Sequence, residues 1–294
     1  MFIATLIASD RLSEGDFSAA MDRLAGAGCA PSVRQWIDEG VAGDIRFMVN
    51  PHAARLNLEL AFPGIDIAVQ PDGPDRRKRL IVADMDSTMI TVECIDELAD
   101  YAGIKPQIAE VTERAMRGEL DFAEALDARV ALLAGLSESA IEQCLAERVR
   151  IMPGAQQLVR TMRGWGATAI LISGGFTRFA GPVAERIGFN RMIANELLIA
   201  DGKLTGAVAK PIVDSATKEA TLAAATAELG LKPEQTLAVG DGANDLAMIK
   251  RAGLGVAYHA KPVVAAAAQM RVDAGDLTAL LYAQGVSRWE WAAG

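Results

Sequence analysis

Leu80-Ile81-Val82-Ala83-Asp84-Met85-Asp86-Ser87-Thr88 is the stretch whose reading decides the fold. Four aliphatic residues follow one another without alternation, then stop at two aspartates one residue apart and two hydroxyls. An unbroken aliphatic run predicts a strand buried on both faces, as in a parallel sheet covered by helices. Such a core cannot keep carboxylates, so Asp84 and Asp86 must emerge at the strand's C-terminal end, where open α/β sheets place their ligands. Side chains two apart on extended chain point to the same side. An isolated Asp-x-Asp is otherwise a turn or a helix cap.

Downstream, residues 89–150 carry helical periodicity and no strand pattern. Ile95, Leu98, Ala99 and Ala102 form one stripe ending at Gly103; Ile108, Val111 and Ala115 form a second ending at Gly118. Asp121 and Glu124 have capping-box spacing for a third helix, whose apolar positions are Phe122, Leu126, Val130 and Leu133. Ser137 is placed to cap a fourth carrying Ile141 and Leu145. A helical segment of this length between the first and second core strands predicts a cap. Arg129 lies on the flank of the third helix's apolar face, where an arginine either snorkels or enters a cavity that holds an anion.

From residue 153 helices and strands alternate, the mark of a parallel sheet. Thr168–Ile172 ends in Ser173-Gly174-Gly175-Phe176, and Thr236–Val239 ends in Gly240-Asp241-Gly242-Ala243-Asn244-Asp245. Asp201-Gly202 marks a two-residue hairpin. Ser215 opens a helix with Leu222 and Leu229 inward and Lys218 in its first turn, where the helix dipole favours an acid. That lysine is either solvated or aimed at a phosphate. Gly255–Tyr258 is a further strand, an Ala-rich helix lies near 264–268, and Asp276 caps a last helix.

Three strands thus end in polar clusters on what a parallel sheet makes one edge. Clustered carboxylates without histidine favour a hard, oxygen-seeking cation, magnesium rather than zinc. The glycines let backbone N–H groups approach an anion. A carboxylate nucleophile, a cation, a lysine and N–H donors together describe phosphoryl transfer.

In order, Asp84-Met85-Asp86-Ser87-Thr88, Ser173-Gly174-Gly175, Lys218 and Gly240–Asp245 resemble the four motifs of the haloacid dehalogenase (HAD) superfamily. Glu93-Cys94-Ile95-Asp96-Glu97 and Val239–Asp245 bring the chain closer to the phosphoserine phosphatase family, over roughly residues 80–284. The resemblance implies an α/β fold: a HAD-like Rossmannoid core with a parallel sheet, and a helical cap (89–150) inserted after the first core strand. It implies Asp84 as nucleophile and Asp86 as general acid and base. Mg2+ would be held by Asp84, the Asp86 carbonyl and Asp241, with Asp245 in support. Ser173, Gly174, Lys218 and Asn244 would hold the phosphate of phosphoserine, Glu93 its ammonium and Arg129 its carboxylate.

Residues 1–75 read as a separate α+β unit ahead of a phosphatase domain at 76–294, with strands at 2–8, 44–49 and 65–69 and a helix near 16–27. Relatives carry an ACT-like regulatory module at this place. Pro71–Pro74 and the basic Arg76-Arg77-Lys78-Arg79 read as a solvated linker. The 294-residue chain is 51% apolar with net charge −9, which argues against nucleic-acid binding. Residues 2–8 lack the basic start of a signal peptide, and no apolar run approaches the ~20 residues of a membrane span. Cys29, Cys94 and Cys144 are too scattered for a zinc site, and His52 and His259 read as incidental. A cytoplasmic protein is expected; oligomeric state is left open, with a homodimer carried forward.

Overall fold

The computed structural model describes residues 1–117 and 119–293. The predicted stop at Gly118 lies outside the described residues. The N-terminal part runs β1 (Phe2–Ala8), α1 (Glu14–Gly26), β2 (Pro31–Asp38), β3 (Ala42–Phe47), α2 (Pro51–Ala61) and β4 (Ile65–Pro71). Its antiparallel sheet has the order β2-β3-β1-β4. Ser13 and Asp16 close a capping box that starts α1, so two N-terminal backbone donors are satisfied locally. One face of the sheet packs Leu6, Ile45 and Ile67 against Phe17, Leu24 and Leu58 of the helices.

The remainder opens with β5 (Leu80–Ala83) and four helices: α3 (Cys94–Tyr101), α4 (Lys105–Met116), α5 (Phe122–Ala131) and α6 (Ser139–Glu147). It continues with α7 (Ala155–Gly164), β6 (Thr168–Phe176), α8 (Thr177–Ile187), β7 (Arg191–Asn195), β8 (Leu197–Ala200), β9 (Lys203–Val208) and α9 (Ser215–Glu228). The last elements are β10 (Thr236–Gly240), α10 (Leu246–Arg251), β11 (Leu254–Tyr258), α11 (Pro262–Ala267), β12 (Met270–Val272) and α12 (Ala279–Ala283).

β5 sits inside a six-stranded parallel sheet of order β12-β11-β10-β5-β6-β7. Its unbroken aliphatic run has a direct cause. Ile81 and Ala83 face Leu158 and Val159 of α7, while Leu80 and Val82 share a second core with Leu222 of α9 and Met248 of α10. Each such buried side chain is worth about 1.5–3 kcal/mol. Pairing of Ala83 with Val239 and with Leu171 sets the register, so Asp84 comes within one residue of the level of Asp241 and Ser173 on the neighbouring strands.

The β8–β9 hairpin turns at Asp201 and Gly202, both in the left-handed region that a tight two-residue turn requires. It supports the helical segment: Gly135 N–H donates to the Leu204 carbonyl at 2.8 Å and Leu204 N–H to that of Leu136 at 2.9 Å.

The structure corrects several expectations. β2 and α2 were not foreseen. The N-cap of α6 is Glu138, with the Ser137 hydroxyl accepting from Ser139 N–H instead. Leu222 is buried as expected, but Leu229 is exposed. The basic run is only half solvated: Arg77 and Arg79 are exposed, but Arg76 and Lys78 are engaged. Arg76 grips Asp44 with two nitrogens at 2.8 Å and donates to the Ala283 carbonyl at 3.0 Å. Lys78 is 4% exposed, its ammonium on the carbonyls of Asp75 (2.9 Å) and Glu234 (2.8 Å). Asp66 of β4 collects the N–H groups of Asp273, Ala274 and Gly275 at 2.8–3.0 Å. The predicted linker is therefore a clasp that joins the two sheets.

Replacing Arg76 with Met strands the buried Asp44 carboxylate, and a loss of about 3 kcal/mol in unfolding free energy is expected, read as a lower urea midpoint at unchanged slope. Burial lowers the Lys78 pKa from 10.5 to about 8, against the pull of Asp75 and Glu234. Between those two values the unfolded chain binds the proton that the folded chain has released, so this residue's contribution to stability rises with pH. Urea titrations of the natural chain against Lys78→Met should show the difference moving in favour of the natural chain from about pH 8 to about pH 10.

Candidate active site

The C-terminal edge of the parallel sheet and the helical segment enclose a cavity of about 390 Å³. From the sheet edge come Asp84, Asp86, Ser173, Gly174, Asp241 and Asn244. From the segment after β5 come Glu93 and Arg129. The remaining two expected residues, Lys218 and Asp245, lie beneath its floor, fully buried.

Lys218 organises that floor. Its ammonium is 2.7 Å from Asp84 Oδ1 and 2.7 Å from Asp245 Oδ1. Burial alone would lower its pKa, but the two carboxylates hold it well above the ordinary lysine range. Asp84 Oδ1 also accepts Met85 N–H at 2.8 Å, and no donor among the described residues reaches Oδ2. One oxygen of Asp84 is thus tied down and the other is free for chemistry. Asp245 Oδ2 accepts Gly242 N–H at 3.0 Å. Gly240 has to be glycine here, because a Cβ would stand 2.4 Å from the Asp245 carboxyl.

Asp84, Asp241 and Asp245 each present an oxygen within 4.8 Å of the others'. The donors are all hard oxygens, and the set fits a hard divalent cation. Burial pushes the Asp241 carboxyl up to about 6, with Asp84 adding to it and the Thr88 hydroxyl, 3.0 Å away, opposing. Burial and Asp84 also raise Asp245, against Lys218. A cation among them removes this repulsion.

Asp86 accepts Cys94 N–H at 3.4 Å, and burial, Glu93 and Asp84 push its pKa up to about 8. These surroundings favour the protonated form of Asp86, the form from which a carboxyl can give up a proton. Gly175 lets the Ser173 turn close onto it; a Cβ there would lie 2.8 Å from Asp86 Oδ2. In that turn Ser173 Oγ accepts Gly175 N–H at 2.8 Å.

Two choices left open by the sequence are decided by position. Glu93 is the N-cap residue of α3, yet its side chain makes no capping bond; it accepts from Ser87 Oγ at 2.7 Å and lines the cavity. Arg129 enters the cavity rather than snorkelling, held by Nε donating to the Ala125 carbonyl at 3.2 Å. No carboxylate among the described residues forms an ion pair with its guanidinium.

Sequence reasoning missed Thr88, whose bond to Asp241 spans 153 residues, and Lys261, which lines the cavity and donates N–H to the Asp241 carbonyl at 3.1 Å. The signal for Lys261 was its place three residues past the end of β11, the same edge that carries the aspartates.

Comparison with known proteins gives the same picture. A family model described as "haloacid dehalogenase-like hydrolase" matches residues 78–253. A phosphoserine phosphatase of Streptomyces coelicolor is 48% identical over 241 residues, 82% of this chain and 58% of that protein, so the chain spans little more than half its length. A solved structure described as a probable phosphoserine phosphatase from Vibrio cholerae superposes with TM-score 0.78 at 35% identity, covering 98% of this chain and 87% of that one. Another, described as a phospho-aspartyl intermediate analogue of phosphoserine phosphatase, gives TM-score 0.64 at 36% identity, covering 69% of this chain and 97% of that one. With its four motifs gathered at one sheet edge and its core matched by the family model, the chain belongs to the haloacid dehalogenase-like hydrolases.

Proposed function

We propose that this protein is a magnesium-dependent phosphoserine phosphatase, releasing serine and phosphate through a phosphoenzyme formed on Asp84. One observation carries the reading: the cavity that holds Asp84 and Asp86 also holds, from the helical segment, the acids Glu93 and Asp96 and the guanidinium of Arg129, which no carboxylate among the described residues ion-pairs. A substrate with a phosphate, an ammonium and a carboxylate matches that set. The phospho-aspartyl analogue reported for a relative supports a carboxylate nucleophile.

Asp84 Oδ2 attacks phosphorus while Lys218 and Met85 N–H hold Oδ1 still. The bond to the serine oxygen breaks, and Asp86 gives that oxygen its proton. Asp86 then takes a proton from water, which attacks the same phosphorus and returns Asp84 to a carboxylate. Ser173, the Gly174 turn and Asn244 hold the phosphoryl oxygens. Arg129 grips the substrate carboxylate with parallel hydrogen bonds, and Glu93 takes the ammonium. Magnesium, held by Asp84, the Asp86 carbonyl, Asp241 and water with Asp245 behind, would supply positive charge at the phosphoryl oxygens. Residues 1–75 are an appended unit, and the reading assigns it no part in the chemistry.

Phosphate release from a panel of phosphomonoesters tests the substrate. Phosphoserine should exceed phosphoethanolamine and glycerol phosphate by at least about a hundredfold in kcat/KM, because each analogue leaves a buried polar partner unpaired. Equal rates would favour the second reading, a broad phosphomonoesterase or phosphotransferase of the same family. Asp84→Asn should lose more than about a thousandfold in kcat; measurable turnover near the natural rate would remove Asp84 as nucleophile. Arg129→Lys should raise KM for phosphoserine by about tenfold or more while changing phosphoethanolamine little, since the lysine keeps the charge but not the paired bonds. Chelation should abolish turnover, and magnesium should restore it.

A further inference from the structure

Neither Ser173-Gly174 nor Lys218 is placed by its own strand or helix alone. β6 loses register with β7 between Ile172 and Phe176, so the Ser173–Gly175 turn stands outside the regular ladder. Lys218 rides in the first turn of α9, behind the loop that follows β9. What joins the two is Asn195, the last residue of β7, which is 2% exposed. Its Nδ2 donates to the Gly174 carbonyl at 2.8 Å, and its Oδ1 accepts Val213 N–H at 2.7 Å. The amide has only one orientation that satisfies both, since Val213 N–H must meet the oxygen. Val213 precedes Asp214, the N-cap of α9, whose carbonyl accepts Lys218 N–H at 3.1 Å.

We propose that Asn195 is a positioning residue that fixes the Ser173–Gly174 turn against the start of α9, so that phosphate meets the turn donors and the Lys218-held Asp84 in one geometry. This rests on reading Ser173 and Gly174 as phosphate-holding parts and Lys218 as the residue that holds Asp84 in place. Asn195 touches neither substrate nor metal; it acts through its two backbone partners. A side chain with one donor and one acceptor is needed, and no apolar residue of the same size can replace it.

Two variants separate this role from mere support of the fold. Asn195→Asp keeps the acceptor for Val213 and loses the donor for Gly174; Asn195→Leu loses both. Affinity for inorganic phosphate is measured by calorimetry with magnesium present, alongside kcat, KM, Val213 amide exchange and thermal midpoint. For Asn195→Asp the expected result is about tenfold or greater loss in phosphate affinity and kcat/KM with Val213 exchange unchanged. Combined with Ser173→Ala, it should cost less than the product of the separate losses, as residues acting through one turn do. Natural phosphate affinity and kcat/KM in Asn195→Asp would overturn the proposal, as would losses that multiply independently of Ser173→Ala. If Asn195→Leu is poorly folded, the Asp variant and the double substitution still decide. Should the natural protein itself bind no phosphate and hydrolyse no phosphomonoester, the reading of the site falls first.

Discussion

A single buried ammonium holds the catalytic edge together. Lys218 sits fully enclosed between Asp84 and Asp245, joining the end of β5, the start of α9 and the loop after β10. Taking three charges out of water is costly, and their attraction offsets that cost only when geometry is close and the remaining lone pairs are filled. Here they are filled in part: Met85 N–H bonds to Asp84 Oδ1 and Gly242 N–H to Asp245 Oδ2, while Asp84 Oδ2 has no donor among the described residues. The arrangement contributes position more than stability. It leaves one oxygen of Asp84 bare at the cavity floor, and with Asp241 the two aspartates stand close enough to hold a metal ion.

Around this floor the work is divided by origin. Asp84, Ser173, Asp241 and Asn244 come from strand ends or the turns just past them, where backbone pairing limits movement; Glu93 and Arg129 come from the helical segment after β5. That segment leans on the β8–β9 hairpin through backbone bonds at Gly135 and Leu204.

The N-terminal sheet belongs to the same mechanical unit. Asp66 gathers three amide groups from the loop after β12, and the Gly275 carbonyl in that loop meets His259 Nε2 at 3.0 Å. His259 lies two residues from Lys261 at the cavity wall. A contiguous series of hydrogen-bonded segments thus runs from β4 to the Asp241 side of the site. It is a second physical connection between the two sheets, beside the one that Arg76 makes between Asp44 and the Ala283 carbonyl.

The sequence by itself determined the parallel core and most of the site. An aliphatic run without alternation has only one comfortable place, between two helical layers, and carboxylates at its end can go only to the sheet edge. Asp84, Asp86, Ser173, Asp241 and Asn244 are legible for that reason, since strand ends in a parallel sheet share one side. Edge strand β2 escaped because it is largely exposed and carries no alternating pattern, and α2 because it buries few side chains, Ala54 and Leu58. Only the tertiary structure decided between solvated and engaged charges. Arg76 finds Asp44, Lys78 finds the Glu234 carbonyl, Thr88 finds Asp241 and Lys218 turns inward to two aspartates. A charged side chain reads the same in sequence whether water or a distant partner satisfies it. Which of the two happens depends on chain packing across tens to hundreds of residues, and local periodicity carries no record of that.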